Sequence, residues 1–536
     1  MSRGKNRLKK NPYPYEFTSF HRRYFQDLRK RFPKNRPIGS VVLCEMIPCY
    51  NVSHCFLNTA HAVAEVIGGH VRSFSFNFSD KSESWRFWKN FYRECEAPLV
   101  LTNKKTSWNR LWAQLMARNL RRKVHQPEDV LAIRLGSVQM GPLIYQTYLG
   151  VERPTMDIKD PYLFQTILQS CHIYLNCLAY LRQSALRQVV ISHNQYIHYG
   201  ILTRLAVSRG IPVITPYAHG WRRNIPFALR RTDPVSMMPF PPYHKFETLF
   251  RHMSARNRIR ARQMGRKRLL RRLRGRLDLV ALKTGPGYLK KKERILMPTG
   301  KKKILIMLNC FFDGPNIFRF NLFSDFYRWA VYTLEKARLT DFEWYVKPHP
   351  VGVPQNDRVV AELKKKFPEA HFLPKTTSNW TLLENKIASV FTTHGTCIHE
   401  FAYRGVPVVA TGDNFHINYD FYLLPKTLQE YDQMIFSAGN LKIKIKKRKI
   451  EEFFYMNYLR FINVTQKCRL FPLPYENYVV GRLGYNPLRN YLENPRALEY
   501  LVRNRTAINY PQVRQYVKQF VLNPAWDEEP PLPKYV

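Results

Sequence analysis

The chain has 536 residues, 45% of them hydrophobic and 14% aromatic, which is the composition of a globular protein too long for one compact core. Its 86 Lys and Arg residues outnumber 39 Asp and Glu residues and give a formal net charge of +47, which attracts polyanions without selecting among nucleic acid, anionic lipid and acidic polysaccharide. No uncharged apolar run reaches the ~18 residues of a spanning helix, and the basic start lacks an apolar segment behind it, so we expect a protein of the cytosol.

Composition and hydrophobic pattern predict five segments along the chain. Residues 1–37 form a basic, proline-punctuated arm, and residues 38–235 form a first α/β domain. Residues 236–300 are a linker with a basic helix, residues 301–435 form a second α/β domain, and residues 436–536 are a helical extension.

The first domain alternates apolar strands with helical patterns. Strands are predicted at 39–46 and 70–76, with a helix at 54–67 between them. A second strand–helix–strand pattern in this domain has strands at 189–192 and 211–214 around a helix at 197–209. This alternation predicts a parallel sheet whose ligands lie at the carboxyl ends of the strands.

Residues 251–277 are the most basic part of the linker. They contain twelve Arg or Lys residues and no acidic residue, with apolar residues at loosely helical spacing, so they predict a basic amphipathic helix. Like charges at this spacing repel by about 0.2–0.5 kcal/mol per pair, so we expect an anionic partner. The residues assigned to a membrane or acceptor contact are Arg258, Arg262, Arg266 and Arg272.

The second domain repeats the alternation. Strands are predicted at 303–308, 343–347, 371–373, 388–392 and 407–410, and helices at 322–338, 356–367, 379–386 and 396–404. Two turns follow its strands: Lys347-Pro348-His349-Pro350 and Thr392-Thr393-His394-Gly395-Thr396.

These two turns have the chemistry of a phosphate site. Backbone N–H groups at a helix start and the hydroxyls of Thr393 and Thr396 suit an anion, and Gly395 allows close approach of the backbone. In the other turn His349 can donate to a phosphate oxygen and Lys347 adds charge. Glu400, one turn into the helix, can accept hydrogen bonds from ribose hydroxyls. The alternatives are an ordinary strand–helix connection with a Thr cap and an incidental loop histidine.

The string His349-Pro350, His394-Gly395-Thr396, Glu400, Gly405-Val406-Pro407-Val408-Val409 and Gly412 resembles the donor-binding domain of GT-B glycosyltransferases. It is most similar to bacterial capsule and surface-polysaccharide synthesis enzymes, over residues 301–422. The resemblance implies two Rossmann-type domains with a cleft between them, a nucleotide-sugar donor in the second domain, and no metal or other cofactor. By position, His349, Thr393, His394 and Thr396 would hold the donor phosphate and Glu400 the ribose.

One segment departs from the family pattern. Members that transfer Kdo carry a Tyr-rich segment ending in a WG turn after the GxPV strand, whereas this chain has Gly412-Asp413-Asn414-Phe415-His416. This departure argues against a CMP-Kdo donor.

A catalytic base is expected from the strand-end loops of the first domain. Candidates are Glu45, His54, His193 and His219, and we favour His219 because His219-Gly220 is similar to an HG turn of related enzymes. Asp313, in the Asp-Gly turn after the first strand of the second domain, is a further candidate that could orient either substrate. Its alternative is a plain turn.

The sequence therefore predicts a glycosyltransferase acting on a surface polysaccharide or glycolipid, in the cytoplasm and peripherally bound to the inner face of the plasma membrane. A sugar-nucleotide epimerase shares the fold but would leave the basic helix without a purpose. A nucleic-acid-binding protein would explain the charge but not the two turns, so we expect no nucleic-acid partner.

Overall fold

The computed structural model describes residues 39–47, 50–76, 83–104, 106–150, 152–217, 228–238, 243–274, 296, 299–318, 320–350, 353–460 and 510–523. These residues build two separate, mainly parallel β-sheets and a small hairpin, with helices packed against them. The mixed α/β architecture with two Rossmann-type sheets confirms the predicted fold class.

The first sheet is built from the first half of the chain. Its strands are β1 (Val41–Glu45), β2 (His70–Ser75), β3 (Leu99–Thr102), β6 (Leu186–Val190), β7 (Val213–Tyr217) and β8 (Ala228–Arg231). Two further short strands, β4 (Arg134–Leu135) and β5 (Val138–Gln139), form a separate hairpin. The order across the sheet is β3-β2-β1-β6-β7-β8, and only β8 runs antiparallel to its neighbour.

Helices connect these strands. They are α1 (Tyr50–Val66), α2 (Glu83–Glu94), α3 (Ser107–Arg122), α4 (Pro127–Leu131), α5 (Gly141–Leu149), α6 (Pro161–Gln183) and α7 (Ile197–Val207). Helix α1 begins four residues before the predicted start at His54, and β6 begins three residues before the predicted strand. In β6 the alternation of buried Leu186 with exposed Arg187 lies outside the apolar run on which the prediction rested.

The second sheet follows a linker of two helices, α8 (Phe246–His252) and α9 (Ala255–Leu273). Its strands are β9 (Lys303–Met307), β10 (Glu343–Lys347), β11 (His371–Phe372), β12 (Ile387–Thr392) and β13 (Val408–Ala410). All five are parallel, in the order β11-β10-β9-β12-β13. The remaining helices are α10 (Phe326–Ala337), α11 (Pro354–Lys366), α12 (Asn379–Glu384), α13 (Cys397–Tyr403), α14 (Leu428–Phe436), α15 (Lys447–Phe454) and α16 (Tyr510–Leu522).

In both sheets the chain starts in the centre, builds outward on one side, and then returns to build the other side. The strand order therefore reverses between β1 and β6 and again between β9 and β12. Ligands of open α/β sheets bind in the crevice that such a reversal opens at the carboxyl ends of the strands. The loops after these four strands are thus where a site is expected.

The predicted basic helix is divided in two. Helix α8 ends at His252, and the Ser254 side chain then caps α9 by accepting from the backbone N–H of Asn257 at 3.3 Å. Helix α9 packs on α15 so closely that a Cβ atom on Gly265 would lie 2.1 Å from the Glu451 carbonyl oxygen. The linker helix is therefore part of the core of the second unit, by which we mean the second sheet with the helices packed on it. It does not stand free in solvent.

Two features join the first unit, which is the first sheet with its helices, to the second unit. Asp325, fully buried at the start of α10, accepts hydrogen bonds at one carboxylate oxygen from the Tyr145 hydroxyl at 2.8 Å and the Thr155 hydroxyl at 2.9 Å. Helix α16 packs against α1, where Val517 and Phe520 enter the core of the first unit. None of the helices that the structure describes is long and apolar enough to cross a bilayer.

Candidate active site

Lys347, the last residue of β10, is a buried cation. Its side chain is only 5% exposed, and burial lowers the pKa of its ammonium group, although the nearby Cys397 thiol and Glu400 carboxylate oppose that shift. Within the part of the chain that the structure describes, no carboxylate is ion-paired with it. A buried ammonium group without an ion-pair partner is stabilised when an anion binds beside it.

The turn after β12 is tied to β9. The Thr392 hydroxyl donates to the Met307 carbonyl oxygen at 3.1 Å, and the Asn309 amide donates to the His394 carbonyl oxygen at 3.0 Å. The Thr393 hydroxyl donates to the Asn309 side-chain oxygen. Sequence analysis missed Asn309, because nothing in the run after β9 indicates that it holds a loop 85 residues away.

The turn ends in a short helix that its threonine does not cap. Gly395 has φ +142°, a conformation that side chains strongly disfavour. The Thr396 side chain makes no capping hydrogen bond to α13, and its hydroxyl instead accepts from the Arg272 guanidinium at 3.2 Å. Thr396 thus occupies the N-cap position without capping α13 through its side chain, and the assignment of this turn to a donor phosphate stays a prediction.

Arg272 also binds Glu400. The Arg272 Nε atom lies 2.6 Å from the Glu400 Oε1 atom, and the two side chains are 9% and 2% exposed. The sequence assigned Arg272 to a membrane or acceptor contact, but its burial leaves it no outward face. Its partners instead bring it to the turn assigned to the nucleotide.

The other three basic residues assigned to that contact also have partners inside the protein. Arg262 pairs with Glu452 at 3.2 Å, Arg266 lies 3.9 Å from Glu451, and Arg258 donates to the Arg251 carbonyl oxygen at 2.9 Å. Acidic residues of α15 therefore offset part of the charge of α9. The anionic partner expected from the sequence is in part the protein itself.

The Asp313 side chain is exposed in the turn after β9 and lies close to His349 and His394. Burial lowers the pKa of His349, and that of His394 to about 4, while the Asp313 carboxylate raises both. The turn is also closed locally, since the Gly314 N–H donates to the Asp313 side chain at 3.0 Å. The local closure is that of a plain Asp-Gly turn, and a role of Asp313 in orienting a substrate stays a prediction.

The same turn faces the first unit. Burial raises the pKa of Tyr196, in the loop after β6, and the nearby Asp313 carboxylate raises it further. A Cβ atom on Gly314 would lie 3.2 Å from the side-chain amide of Gln146 in α5. The loops after β6 and β9 are therefore neighbours, and the carboxyl edges of the two sheets face a common region.

Glu45, at the end of β1, is the strongest base candidate that the structure describes. Its Oε2 atom accepts the Ser192 backbone N–H at 2.6 Å, and its side chain is 6% exposed. Burial raises the pKa of Glu45 to about 7, and the hydrogen bond from Ser192 limits the shift. A carboxylate that titrates near neutral pH suits general base catalysis.

Among the histidine candidates for the catalytic base, only the side chain of His193 lies in the part of the chain that the structure describes. His193 packs its ring 4.1 Å from that of Tyr199, and burial lowers its pKa to about 4. His219, favoured by the sequence, and the side chain of His54 lie outside the described residues.

The segment that departs from the Kdo-transferring pattern is folded inward. The Asn414 side-chain oxygen accepts from the His416 backbone at 2.7 Å and from its Nδ1 atom at 2.6 Å. His416 Nε2 therefore accepts from His399 Nδ1 at 3.0 Å. The pair lies among aromatic rings such as Phe453, so this segment supports the core beneath α13.

No family model and no curated protein matches the chain. Among solved structures, the chain is similar to the β-Kdo 2,4-transferase KpsC of Thermosulfurimonas dismutans, with 13% identity and a TM-score of 0.33, over 52% of this chain and 81% of that one. It is also similar to the UDP-GlcNAc 2-epimerases of Methanocaldococcus jannaschii (12% identity, TM-score 0.23, 77% and 97% covered) and Neisseria meningitidis (10%, 0.22, 78% and 100%). Scores this low carry no conclusion about activity.

Proposed function

We propose that the chain is a GT-B-type glycosyltransferase that moves a sugar from a nucleotide-activated donor to a surface polysaccharide or glycolipid acceptor. The observation that carries the proposal is Lys347, a buried ammonium group without a described ion-pair partner at the carboxyl edge of the second sheet. A donor diphosphate is the anion that would complete it.

The donor side would use the two turns. Lys347 and His349 approach the diphosphate from the end of β10, and His394 and Gly395 approach it from the turn after β12. The hydroxyl of buried Thr393 already donates to Asn309, so Thr393 shapes this turn and its hydroxyl does not donate to the phosphate. Arg272, bonded to the Thr396 hydroxyl at 3.2 Å, adds positive charge from the linker helix. Helix α13 has only seven residues, so side-chain cations carry more of this stabilisation than its dipole does.

Glu400 takes a different role from a simple ribose ligand. Its pairing with Arg272 at 2.6 Å orients the guanidinium toward Thr396. A ribose hydroxyl would donate to a carboxylate that is already held in place by this contact. In this arrangement the two residues position each other before the donor binds.

Glu45 would act as the base on the acceptor side. In its ionised form it removes the proton from an acceptor hydroxyl, whose oxygen bonds to the anomeric carbon as the bond from that carbon to the donor phosphate breaks. The nucleoside diphosphate then leaves with its charge stabilised by Lys347 and Arg272. Asp313, beside both histidines and Tyr196, orients the reacting groups where the two sheets face each other.

Calorimetry with CMP-, UDP-, GDP- and TDP-ligands tests the donor site. Wild type should bind at least one nucleotide, and His349→Ala should bind it about tenfold or more weakly. No binding by wild type would overturn the proposal, whereas unchanged binding by His349→Ala would overturn only the site assignment.

A second assay separates the transferase from an epimerase. Wild type incubated with a bound nucleotide sugar and no acceptor should leave the sugar's configuration unchanged. Conversion to the 2-epimer without an acceptor would favour the epimerase. Donor-dependent labelling of a glycan or glycolipid that Glu45→Gln abolishes, while nucleotide binding is kept, would support transfer.

A further inference from the structure

Helix α3 carries a row of large apolar side chains on its outer surface. Trp108 is 67% exposed, Leu111 51%, Trp112 45% and Leu115 48%. Their spacing of i, i+3, i+4 and i+7 brings them onto one face of the helix. Among the described residues eleven large hydrophobic side chains are exposed, and four of them are in this row.

The opposite face of α3 is firmly packed. Ala113 and Ala117 are fully buried against the first unit, where α3 lies along α6. The Asn109 amide donates to the Asn176 side chain of α6 at 2.9 Å. These contacts fix the rotation of the helix, so the apolar row faces outward because of the fold and not because the helix is loosely held.

The charged residues of α3 itself are all positive. Helix α3 contains no acidic residue, and its exposed residues include Arg110, Arg118 and Arg122. Arg118 and Arg122 extend the apolar row by one and two turns. A protein surface that combines aromatic and aliphatic side chains with neighbouring arginines complements an anionic lipid surface.

We propose that α3 docks the protein onto an anionic bilayer, with Trp108, Leu111, Trp112 and Leu115 at the boundary of headgroups and acyl chains. Tryptophan prefers this depth because its ring is apolar and its N–H is polar. Arg118 and Arg122 would lie against the phosphates. Helix α9 is less suited, since Arg262, Arg266 and Arg272 already face protein carboxylates.

Cosedimentation of the full chain with vesicles tests this surface. Wild type should bind vesicles of phosphatidylcholine with 30% phosphatidylglycerol and bind pure phosphatidylcholine more weakly. Trp108→Ala/Trp112→Ala should lower the partition coefficient about tenfold or more. Arg118→Gln/Arg122→Gln should reduce the preference for the anionic vesicles.

The matched control is Leu339→Ala/Phe436→Ala, which removes apolar side chains that are 66% and 49% exposed in the second unit. It should bind vesicles as wild type does. Circular dichroism and nucleotide affinity, unchanged in every variant, would show that the fold is kept. Vesicle binding needs no donor, so its outcome is separate from that of the transfer reaction.

Three results would overturn the inference. They are the absence of wild-type binding to the anionic vesicles, an equal loss in the control variant, and unchanged vesicle binding by Trp108→Ala/Trp112→Ala. If the last result comes with conversion of an oligomer to a monomer in light scattering, the row is an interface with a second copy of the chain.

Discussion

The Arg272 guanidinium and the Glu400 carboxylate form a buried ion pair, with Nε and Oε1 2.6 Å apart, between the linker helix α9 and helix α13, which follows the turn after β12. In the sequence these residues are 128 positions apart and belong to segments with different predicted roles. Their pairing joins the linker to the turn where we propose that the nucleotide binds.

Replacing Arg272 should destabilise the protein. In Arg272→Met the Glu400 carboxylate stays buried and loses its ion pair with Arg272, which costs about 3–5 kcal/mol. Thermal unfolding should therefore show a clearly lower Tm, and Arg272→Met/Glu400→Gln should recover part of it. Arg271→Met, which removes the neighbouring exposed arginine, is the control. An equal Tm for the two single variants would contradict the role of the pair.

Lys347→Met should separate stability from binding. Burial lowers the pKa of Lys347, so its charge is disfavoured in the folded state, and Met should leave the Tm unchanged or raise it. Affinity for a nucleoside diphosphate should fall about tenfold or more. Calorimetry measures the affinity, with exposed Lys365→Met as control. A lower Tm with unchanged affinity would mean that Lys347 is structural.

Glu45→Gln should change how stability depends on pH. Burial raises the pKa of Glu45 from 4.5 to about 7, so the folded state binds this proton more tightly than the unfolded state does. Wild type therefore loses stability relative to the variant as pH rises from 4.5 to about 7. The difference should reach up to about 3 kcal/mol at higher pH and vanish in acid.

Tm values of both proteins between pH 4 and pH 8 measure this difference, with exposed Glu362→Gln as control. A constant offset across the range would show that Glu45 does not titrate as expected. In wild type, transfer activity should fall as pH drops through about 7, because the base becomes protonated.

Gly265→Ala should disturb the crossing of α9 and α15. Its Cβ atom would lie 2.1 Å from the Glu451 carbonyl oxygen, and a backbone atom cannot move aside as a side chain can. The helices must separate, at a cost of about 3 kcal/mol. Gly300→Ala, where a Cβ atom meets nothing within 4 Å, should leave the Tm near that of wild type. Similar Tm values would mean that the crossing is loose.

Local pattern was enough to predict most of the fold. Residues 344–346 and 388–391 are short runs of mostly apolar residues close to turn residues. Such runs are typical of strands in a parallel sheet that is buried on both faces. The two turns after these strands could be located because proline and glycine mark strand ends in the sequence itself. That both turns lie beside the central β9 follows from the parallel order of the sheet.

Long-range pairing could not be predicted in the same way. Arg272 occurs among eleven other cations in 251–277, and composition does not distinguish the one that is buried. Asn309 holds the His394 turn through a contact across 85 residues. The pKa of Glu45 depends on its burial in the fold and on its hydrogen bond from Ser192, 147 residues away, which the sequence of its own strand does not reveal.

Helix α16 gives the order of synthesis a consequence for folding. Phe520 is fully buried in the first unit and lies under the Arg231 guanidinium at 4.0 Å, although all of the second unit is translated before it. The first unit is thus made first and completed last, and until residues 510–523 leave the ribosome its apolar surface along α1 stays uncovered. A stop codon late in the reading frame would consequently damage the half of the protein that was translated earliest.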